Sequence, residues 1–274
     1  MIFDDSYTVP KMIKDSAEKY AEIPAQMKRT PEGEFEPVLY REMFQLALDF
    51  GAALLSLGIA REEKIGLISD NRAEWFQADL GIMAIGAIDV PRGCDATLND
   101  LEKILSITEA RYVIAENEAQ VSKLLGIRDT IPTLETIICF ENNVKSKVIE
   151  EASKAKVKIL FFEELMKEGQ KWRIEHNGAV EAELEKGKGD DVATIIFTSG
   201  TTGTPKGVML THKNFLAQLD EIPERIFLNP GDRALCVLPV WHVFEREVEY
   251  VITIQGATLC YSKPVGSILL ADFK

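Results

Sequence analysis

The sequence predicts an α/β fold built on a mostly parallel sheet. Helical and strand patterns alternate along the chain, which is typical of this class. The strand patterns are short and apolar throughout, as strands are when both faces of a sheet are covered. Hydrophobic residues make up 46% of the 274 residues, which is enough for a large core. At about 150 residues per domain, this length predicts roughly two domains.

Most of the predicted elements lie before residue 163. A helix over 40–57 has its apolar residues on one face and would end at Gly58. Asn71, followed three residues later by Glu74, is a helix start for residues 74–85. In chain order, the other predictions here are strands over 64–69 and 87–90, a helix that begins near Thr97 and Asp100, and strands over 111–115, 136–140 and 157–162.

The second part of the chain changes in composition before the strands resume. Residues 163–191 are polar and charged, which predicts an exposed helix and a linker. Thr211 and His212 are predicted to flank a helix start, and we assign His212 no catalytic role. The elements predicted in this part are strands over 192–197 and 207–210, a helix near 213–219, and strands over 233–238 and 257–261.

The charge of the chain excludes one class of partner. Lys and Arg total 31 and Asp and Glu total 44, which gives a formal net charge of −13. An acidic surface repels nucleic-acid phosphates and anionic lipids, and no block of Lys and Arg rises above this background. We therefore expect no binding to nucleic acid and at most peripheral contact with membranes.

Cysteine usage and hydropathy predict a soluble, cytoplasmic protein. The four cysteines, at positions 94, 139, 236 and 260, form no CxxC pair and have no histidine at zinc-ligand spacing, so we expect reduced thiols and no metal site. The amino terminus lacks the basic and apolar regions of a signal peptide. The most apolar stretch, over 80–88, is far shorter than the ~20 residues that span a bilayer.

One stretch rich in hydroxyl residues and glycine is the candidate for ligand binding. It follows a strongly apolar strand and reads Thr198-Ser199-Gly200-Thr201-Thr202-Gly203-Thr204-Pro205-Lys206-Gly207. Glycines let the backbone approach a ligand closely, hydroxyls and amides donate hydrogen bonds, and Lys206 adds a positive charge, so the stretch predicts a polyphosphate cradle. It is not a Walker A loop, because Pro205 precedes the lysine and a strand follows it. From composition alone, a solvated connection between two strands remains open.

The full string resembles the phosphate-binding signature of the adenylate-forming (AMP-binding) superfamily, which includes acyl-CoA synthetases, peptide-synthetase adenylation domains and luciferases. Residues 191–197 and 208–214 resemble the strand before the loop and its continuation, and 238–242 resembles the next motif of the family. His242, Glu245 and Arg246 match the His-x-x-Glu-Arg pattern typical of long-chain fatty acyl-CoA synthetases. Residues 71–75 and 86–91 also resemble that branch, whereas 92–95 departs from its aromatic and Thr-rich sequence.

This resemblance implies a domain organisation. It implies an acyl-CoA synthetase-like N-terminal domain of layered αβα subdomains with mostly parallel sheets, of which the second is incomplete. Residues 1–40 would pack on the second subdomain, 41–211 would form the first and end in the loop 198–207, and 212–274 would begin the second. The adenine- and magnesium-contacting segment of the family, its ribose-binding aspartate and its C-terminal lysine domain have no counterpart here. We therefore expect an N-terminal fragment of a longer enzyme.

The resemblance also implies an activity. The parent enzyme would convert fatty acid, ATP and CoA into acyl-CoA, AMP and pyrophosphate through an acyl-adenylate, with Mg²⁺ neutralising the departing pyrophosphate. The ATP-binding residues would be Thr198, Ser199, Gly200, Thr201, Thr202, Gly203, Thr204 and Lys206. The alternatives are an enzyme that loads an acyl carrier protein and a binding module without chemistry. The resemblance allows a homodimer.

Two residues are predicted to take part in the reaction. Lys206 would stabilise the β- and γ-phosphates as pyrophosphate leaves. His242 would line the pocket for the acyl group and its carboxylate. A packed, hydrogen-bonded histidine is the alternative for His242. For Glu245 and Arg246, the simplest expectation is a local pair on a helix surface.

Overall fold

The computed structural model describes residues 3–29, 34–198, 205–222, 225–262 and 266–272. The strands are β1 (Pro24–Arg29), β2 (Phe35–Leu39), β3 (Lys64–Ile68), β4 (Ile88–Arg92), β5 (Tyr112–Ala115), β6 (Thr136–Cys139), β7 (Lys158–Phe161), β8 (Val192–Thr198), β9 (Lys206–Thr211), β10 (Arg233–Cys236) and β11 (Thr258–Tyr261). The helices are α1 (Val9–Lys19), α2 (Tyr40–Ser56), α3 (Ala73–Ala84), α4 (Leu98–Thr108), α5 (Glu118–Gly126), α6 (Ser146–Lys154), α7 (Phe162–Glu175), α8 (Ala179–Lys186), α9 (His212–Glu221), α10 (Val243–Ile254) and α11 (Gly266–Asp272).

Two sheets organise these elements. The larger sheet has seven strands in the order β7-β6-β5-β3-β4-β8-β9, and all neighbours are parallel except β8 and β9. The smaller sheet has four strands in the order β10-β11-β1-β2, of which only the pair β1 and β2 is antiparallel. The predicted α/β fold with mostly parallel sheets is therefore confirmed.

Side chains alternate between the two faces of the larger sheet. Tyr112 and Ile114 of β5 belong to a core that also contains residues of α1, α2 and α3, whereas Val113 and Ala115 belong to a core formed with α4, α5 and α6. Because successive residues of a strand point to opposite faces, both faces of β5 are covered. This explains why its sequence reads as a continuous apolar run.

The core around α1, α2 and α3 also reaches the smaller sheet. It includes Phe50 of α2 and Ile65 of β3 together with Tyr250 of α10 and Leu259 of β11. The Tyr40 hydroxyl donates to the backbone carbonyl of Ala257 at 2.6 Å, next to β11. Helices from the amino-terminal half therefore connect the two sheets through one apolar core.

Local signals fix several helix boundaries, but the helix start predicted at Asn71 is wrong, because the N-cap of α3 is Arg72 and the Asn71 side chain bonds Leu238 and Val240. Gly58 has a φ of +80°, which only glycine adopts readily, so the chain turns where the sequence predicts the end of α2. Thr97 and Asp100 form the capping box that begins α4, as their spacing predicts. Thr211 likewise caps α9, and His212 is its first residue.

The segment 163–191 differs from its prediction. It forms α7 and α8 in place of one exposed helix and a linker. Phe162, Leu165 and Gly169 of α7 are buried, and a Cβ added at Gly169 would lie 2.1 Å from the Asp49 carbonyl oxygen of α2. The charges of α7 cover its outer face, while its buried face packs closely on α2. None of the described helices is long and apolar enough to cross a membrane.

The connections around β3 create a crevice. The chain leaves β3 for α3 on one face of the larger sheet, but it leaves β4 and β5 for α4 and α5 on the opposite face. Ligands of parallel α/β sheets bind where neighbouring connections diverge in this way, outside the carboxyl ends of the strands. This edge of the larger sheet is therefore where a site is expected.

Candidate functional site

The predicted phosphate loop joins two antiparallel strands at this edge. β8 runs parallel to β4, so Thr198 lies at the same edge as the end of β4. Thr198 pairs in register with Lys206, the first residue of β9, and both residues are exposed. Ser199, Gly200, Thr201, Thr202, Gly203 and Thr204 lie outside the described residues. Thr198 and Lys206 therefore lie opposite each other, where β8 ends and β9 begins.

A cleft of about 790 Å³ opens at the same edge, between the two sheets. Asn71 and Arg72, which follow β3, line it from the larger sheet. Trp241 and Tyr261 line it from the smaller sheet. Other lining groups include Met27, Lys28, Asp70, Asp95 and Glu116. The cleft combines aromatic surface with charged groups, which is a composition suited to a small-molecule ligand.

The two walls of the cleft are tied together by hydrogen bonds. The Asn71 amide donates to the Leu238 carbonyl at 2.6 Å and accepts from the Val240 backbone N–H at 3.0 Å. A Cβ added at Gly93 would lie 2.1 Å from Trp241 Nε1, so glycine is needed for this close approach. The motifs at 71–75 and 238–242, which are distant in sequence, therefore meet at the cleft.

His242 lies beside the cleft. Its side chain is exposed, and its Nδ1 accepts from the Phe244 backbone N–H at 3.4 Å at the start of α10. The packed histidine considered from the sequence does not describe this residue, because its ring is exposed. Its neighbour Trp241 lines the cleft, whereas His242 is not among the described residues that line it.

Arg246 is buried, and this overturns the expected surface pair with Glu245. Its side chain is 1% exposed and forms ion pairs with Asp79 of α3 and Asp89 of β4, the latter at 2.9 Å. Its Nε donates to the Tyr250 hydroxyl at 2.9 Å, and that hydroxyl donates to Asp79 at 2.6 Å. Burial raises the pKa of both aspartates, and the guanidinium opposes this rise. The cluster joins α10 to the larger sheet.

The sequence pattern does not predict the partners made by Asp79, Asp89 and Asn71. Asp79 falls within the apolar run of residues 78–85, and Asp89 falls within a short buried strand. A charge in such a position is rarely left unpaired, because an isolated buried charge is very costly. That signal could have indicated an ion pair, although it could not have identified Arg246 as the partner.

The chain is similar to known fatty acid ligases. It is 31% identical over 257 residues to a chloroplastic long-chain-fatty-acid–[acyl-carrier-protein] ligase of Arabidopsis thaliana, with 93% of this chain and 35% of that protein covered. It is 26% identical to human long-chain-fatty-acid–CoA ligase 1, with 99% and 39% covered. The chain therefore spans about a third of the length of the curated relatives that it matches.

Solved structures show the same fold. The inhibitor-bound N-terminal domain of FACL13 from Mycobacterium tuberculosis superposes with a TM-score of 0.77 at 22% identity, covering 97% of this chain and 60% of that one. The anthranilate CoA ligase AuaEII, in complex with anthranoyl-AMP, also gives 0.77 at 22% identity, covering 94% and 45%. The family of AMP-binding enzymes matches residues 13–273, nearly the whole sequence, and the chain belongs to this family.

Proposed function

We propose that these residues form the amino-terminal part of an AMP-forming long-chain fatty acid–CoA ligase. The observation that carries the proposal is the ten-residue string Thr198–Gly207, whose flanks lie at the carboxyl edge of the larger sheet. The cleft at that edge supports it, because both sheets contribute walls to a volume of about 790 Å³. The named activities of the relatives are consistent with this reaction class.

The proposed reaction has two steps. In the first, a fatty acid carboxylate oxygen attacks the α-phosphorus of ATP, and pyrophosphate leaves. ATP enters as its Mg²⁺ complex, which supplies positive charge to the departing group. The loop hydroxyls, its backbone amides and Lys206 would hold the β- and γ-phosphates, stabilising the charge that develops on them. In the second, a thiol attacks the acyl carbon, and AMP leaves with the electron pair of the broken acyl–phosphate bond.

The thiol is proposed to be that of CoA. The alternative is the thiol of an acyl carrier protein, because one Arabidopsis relative of 31% identity carries that name. The two alternatives are separated by incubating the complete enzyme, purified with bound acyl-adenylate, with CoA or with acyl carrier protein. The acyl group should be transferred to CoA and should not be transferred to the carrier protein. Transfer to carrier protein alone would favour the alternative.

His242 is proposed to line the acyl pocket, and its support is that it is exposed and directly follows Trp241, which lines the cleft. His242→Ala and His242→Phe, which shrink and enlarge the side chain, should shift the preferred chain length and change KM for the fatty acid more than KM for ATP. An unchanged chain-length profile would show that His242 does not line the pocket.

The location is proposed to be cytoplasmic. The four cysteines are all free thiols, which supports this location.

The proposal is tested by reading the gene past codon 274 and assaying its complete product. We expect the complete product to exchange pyrophosphate into ATP when fatty acid and Mg²⁺ are present. The 274-residue chain alone should fold and show only background exchange, since adenine, ribose and lysine contacts of the family have no counterpart in it. A stop codon directly after Lys274, or robust exchange by the 274-residue chain, would contradict the proposal.

A further inference from the structure

A thiol and two carboxylates meet in the interior of the smaller-sheet region, behind the cleft. Cys236 is the last residue of β10, and Glu245 and Glu249 lie one turn apart on the same face of α10. Their side-chain ligand atoms all lie within 4.8 Å of one another. The three residues are 1%, 4% and 0% exposed. They form no part of the phosphate loop or of the proposed reaction.

The carboxylates of this cluster are only partly satisfied by the protein, since the backbone at Val237 and Leu238 interacts with Glu245 and the Cys236 thiol interacts with Glu249. Glu245 Oε1 and both carboxylate oxygens of Glu249 have no hydrogen-bond partner among the described residues. Asp79 and Asp89, which are also completely buried, differ because Arg246 and Tyr250 satisfy them. Burial raises the pKa of Glu245 to about 7 and raises that of Glu249 well above its ordinary value, where the neighbouring Glu245 adds to the rise and Arg246 opposes it. A buried polar group without a partner calls for an explanation.

A metal cation explains the arrangement. One sulfur and one oxygen from each glutamate make three ligands, and the second oxygen of Glu249 is available as a fourth. Zn²⁺ takes four ligands and binds both thiolate and carboxylate. Tetrahedral ligands at about 2.0–2.3 Å from one ion lie about 3.3–3.8 Å from each other, so these side chains, whose ligand atoms lie within 4.8 Å, would close by up to about 1 Å on binding. Mg²⁺ and Ca²⁺ fit poorly, because they take about six or more oxygen ligands and avoid sulfur.

We propose that Cys236, Glu245 and Glu249 bind one Zn²⁺ or a similar divalent transition-metal cation. The ion would join the end of β10 to the first two turns of α10. The intervening residues 237–242 include Trp241, which lines the cleft. The role of the ion is therefore structural: it would hold one wall of the cleft while Asn71 holds it from the other side. The sequence gives no zinc signal, because two of the ligands are glutamates.

A second cluster provides an internal comparison. Asp70, Cys94 and Glu116 also place a thiol near two carboxylates. Here the protein supplies partners: Glu116 Oε2 accepts from the Ser69 hydroxyl at 3.0 Å and from the Asp70 N–H at 2.8 Å. Asp70 accepts from the Cys94 N–H at 3.1 Å. This cluster needs no cation, so Cys94 serves as a control.

The test uses Co²⁺ as a spectroscopic probe on the reduced, metal-free 274-residue chain. We expect one Co²⁺ per chain with the near-ultraviolet charge-transfer absorption of a thiolate–Co²⁺ bond, and displacement of this band by Zn²⁺. Cys236→Ser should abolish the band, and Glu249→Gln should weaken binding by at least about tenfold. Cys94→Ser and Cys260→Ser should keep the band, and Cys260 is a matched control because it is buried in the adjacent strand.

A second readout separates binding from folding. Zn²⁺ should raise the Tm of the parent chain and of Cys260→Ser, and it should leave the Tm of Cys236→Ser unchanged. Far-ultraviolet circular dichroism establishes that each variant is folded before titration. Absence of the band in the parent chain, its loss in Cys94→Ser, or its survival in Cys236→Ser would each overturn the proposal.

Discussion

The two sheets differ in how the chain assembles them. All strands of the larger sheet lie within residues 64–211, and most follow one another through a single helix. The smaller sheet pairs β1 with β11, so that Gln26 lies opposite Leu259. The larger sheet is therefore specified mainly by local βα units, whereas the smaller sheet depends on contacts between the two ends of the chain. Contacts that join the smaller sheet to the larger-sheet region should therefore contribute strongly to the stability of the smaller sheet.

The largest loss of stability is expected at the ion-pair cluster of Arg246, Asp79 and Asp89, which joins α10 to the larger sheet. Arg246→Met removes the guanidinium and leaves Asp79 and Asp89 buried without a counter-charge, which should cost about 3–5 kcal/mol of unfolding free energy. The measurement is urea unfolding of the 274-residue chain. Arg111→Met is the matched control, because Arg111 pairs with Glu135 at the surface and such pairs contribute about 0–1 kcal/mol.

A rescue variant sharpens this prediction. Replacing Asp79 and Asp89 by asparagine in the Arg246→Met background removes the buried charges, so most of the lost stability should return. A cost below about 1 kcal/mol for Arg246→Met alone would show that the cluster does not hold the regions together.

Packing within the larger-sheet region gives the next effect. Gly169→Ala places a Cβ against the Asp49 carbonyl, where backbone cannot give way, so we expect a loss of about 3 kcal/mol in unfolding free energy. Gly126→Ala is the control, since nothing lies within 4 Å of its added Cβ, and it should be neutral or stabilise by up to about 1 kcal/mol. Equal behaviour of the two variants in thermal or urea unfolding would contradict close packing of α7 on α2.

A smaller, pH-dependent effect is expected at His212. Burial lowers its pKa to about 3, opposed by Asp191 and assisted by Arg246, Arg61 and Lys11. In the unfolded chain the pKa is about 6.5, so protons bind to the unfolded state first as the pH falls. The contribution of neutral His212 to the unfolding free energy is therefore fully present above about pH 6.5. It decreases below that pH, and the loss reaches about 2 kcal/mol at about pH 5.

The variant His212→Asn isolates this contribution. Its amide oxygen can accept from the Val9 N–H, as His212 Nδ1 does at 3.3 Å, but it does not titrate. The difference in unfolding free energy between the parent chain and the variant should shrink as the pH is lowered from about 7.5 to about 5. A constant difference over this range would show that His212 is not held neutral.

Structure that depends on neighbouring residues is predictable from this sequence. The helix predicted over 40–57 is Tyr40–Ser56, and the strand predicted over 192–197 is Val192–Thr198. Periodicity, caps and glycine turns act within a few residues, so they are visible in the sequence. The sequence does not predict β1 and β2, because neither strand has a continuous apolar pattern. One partner of β1 is β11, which lies at the other end of the chain.

The candidate site was predictable only in part. The string at 198–207 identified a phosphate-binding family, and the family is confirmed. The buried setting of Arg246 was not predictable, because its partners lie more than 150 positions away and only the fold brings them together. The roles of Lys206, His242 and the loop hydroxyls stay predictions, and residues 199–204 lie outside the described part of the chain.

Lys206→Ala in the complete gene product tests the central claim most directly, namely that the connection between β8 and β9 holds the phosphates of ATP. The rates to be compared are acyl-adenylate formation from fatty acid and Mg²⁺–ATP, and thioester formation from preformed acyl-adenylate. Lys154→Ala, an exposed lysine on α6, is the matched control and should alter neither rate. We predict that Lys206→Ala slows the first step on the order of a hundredfold and leaves the second largely unchanged, because the phosphates depart in the first step. An equal loss in both steps would contradict the account.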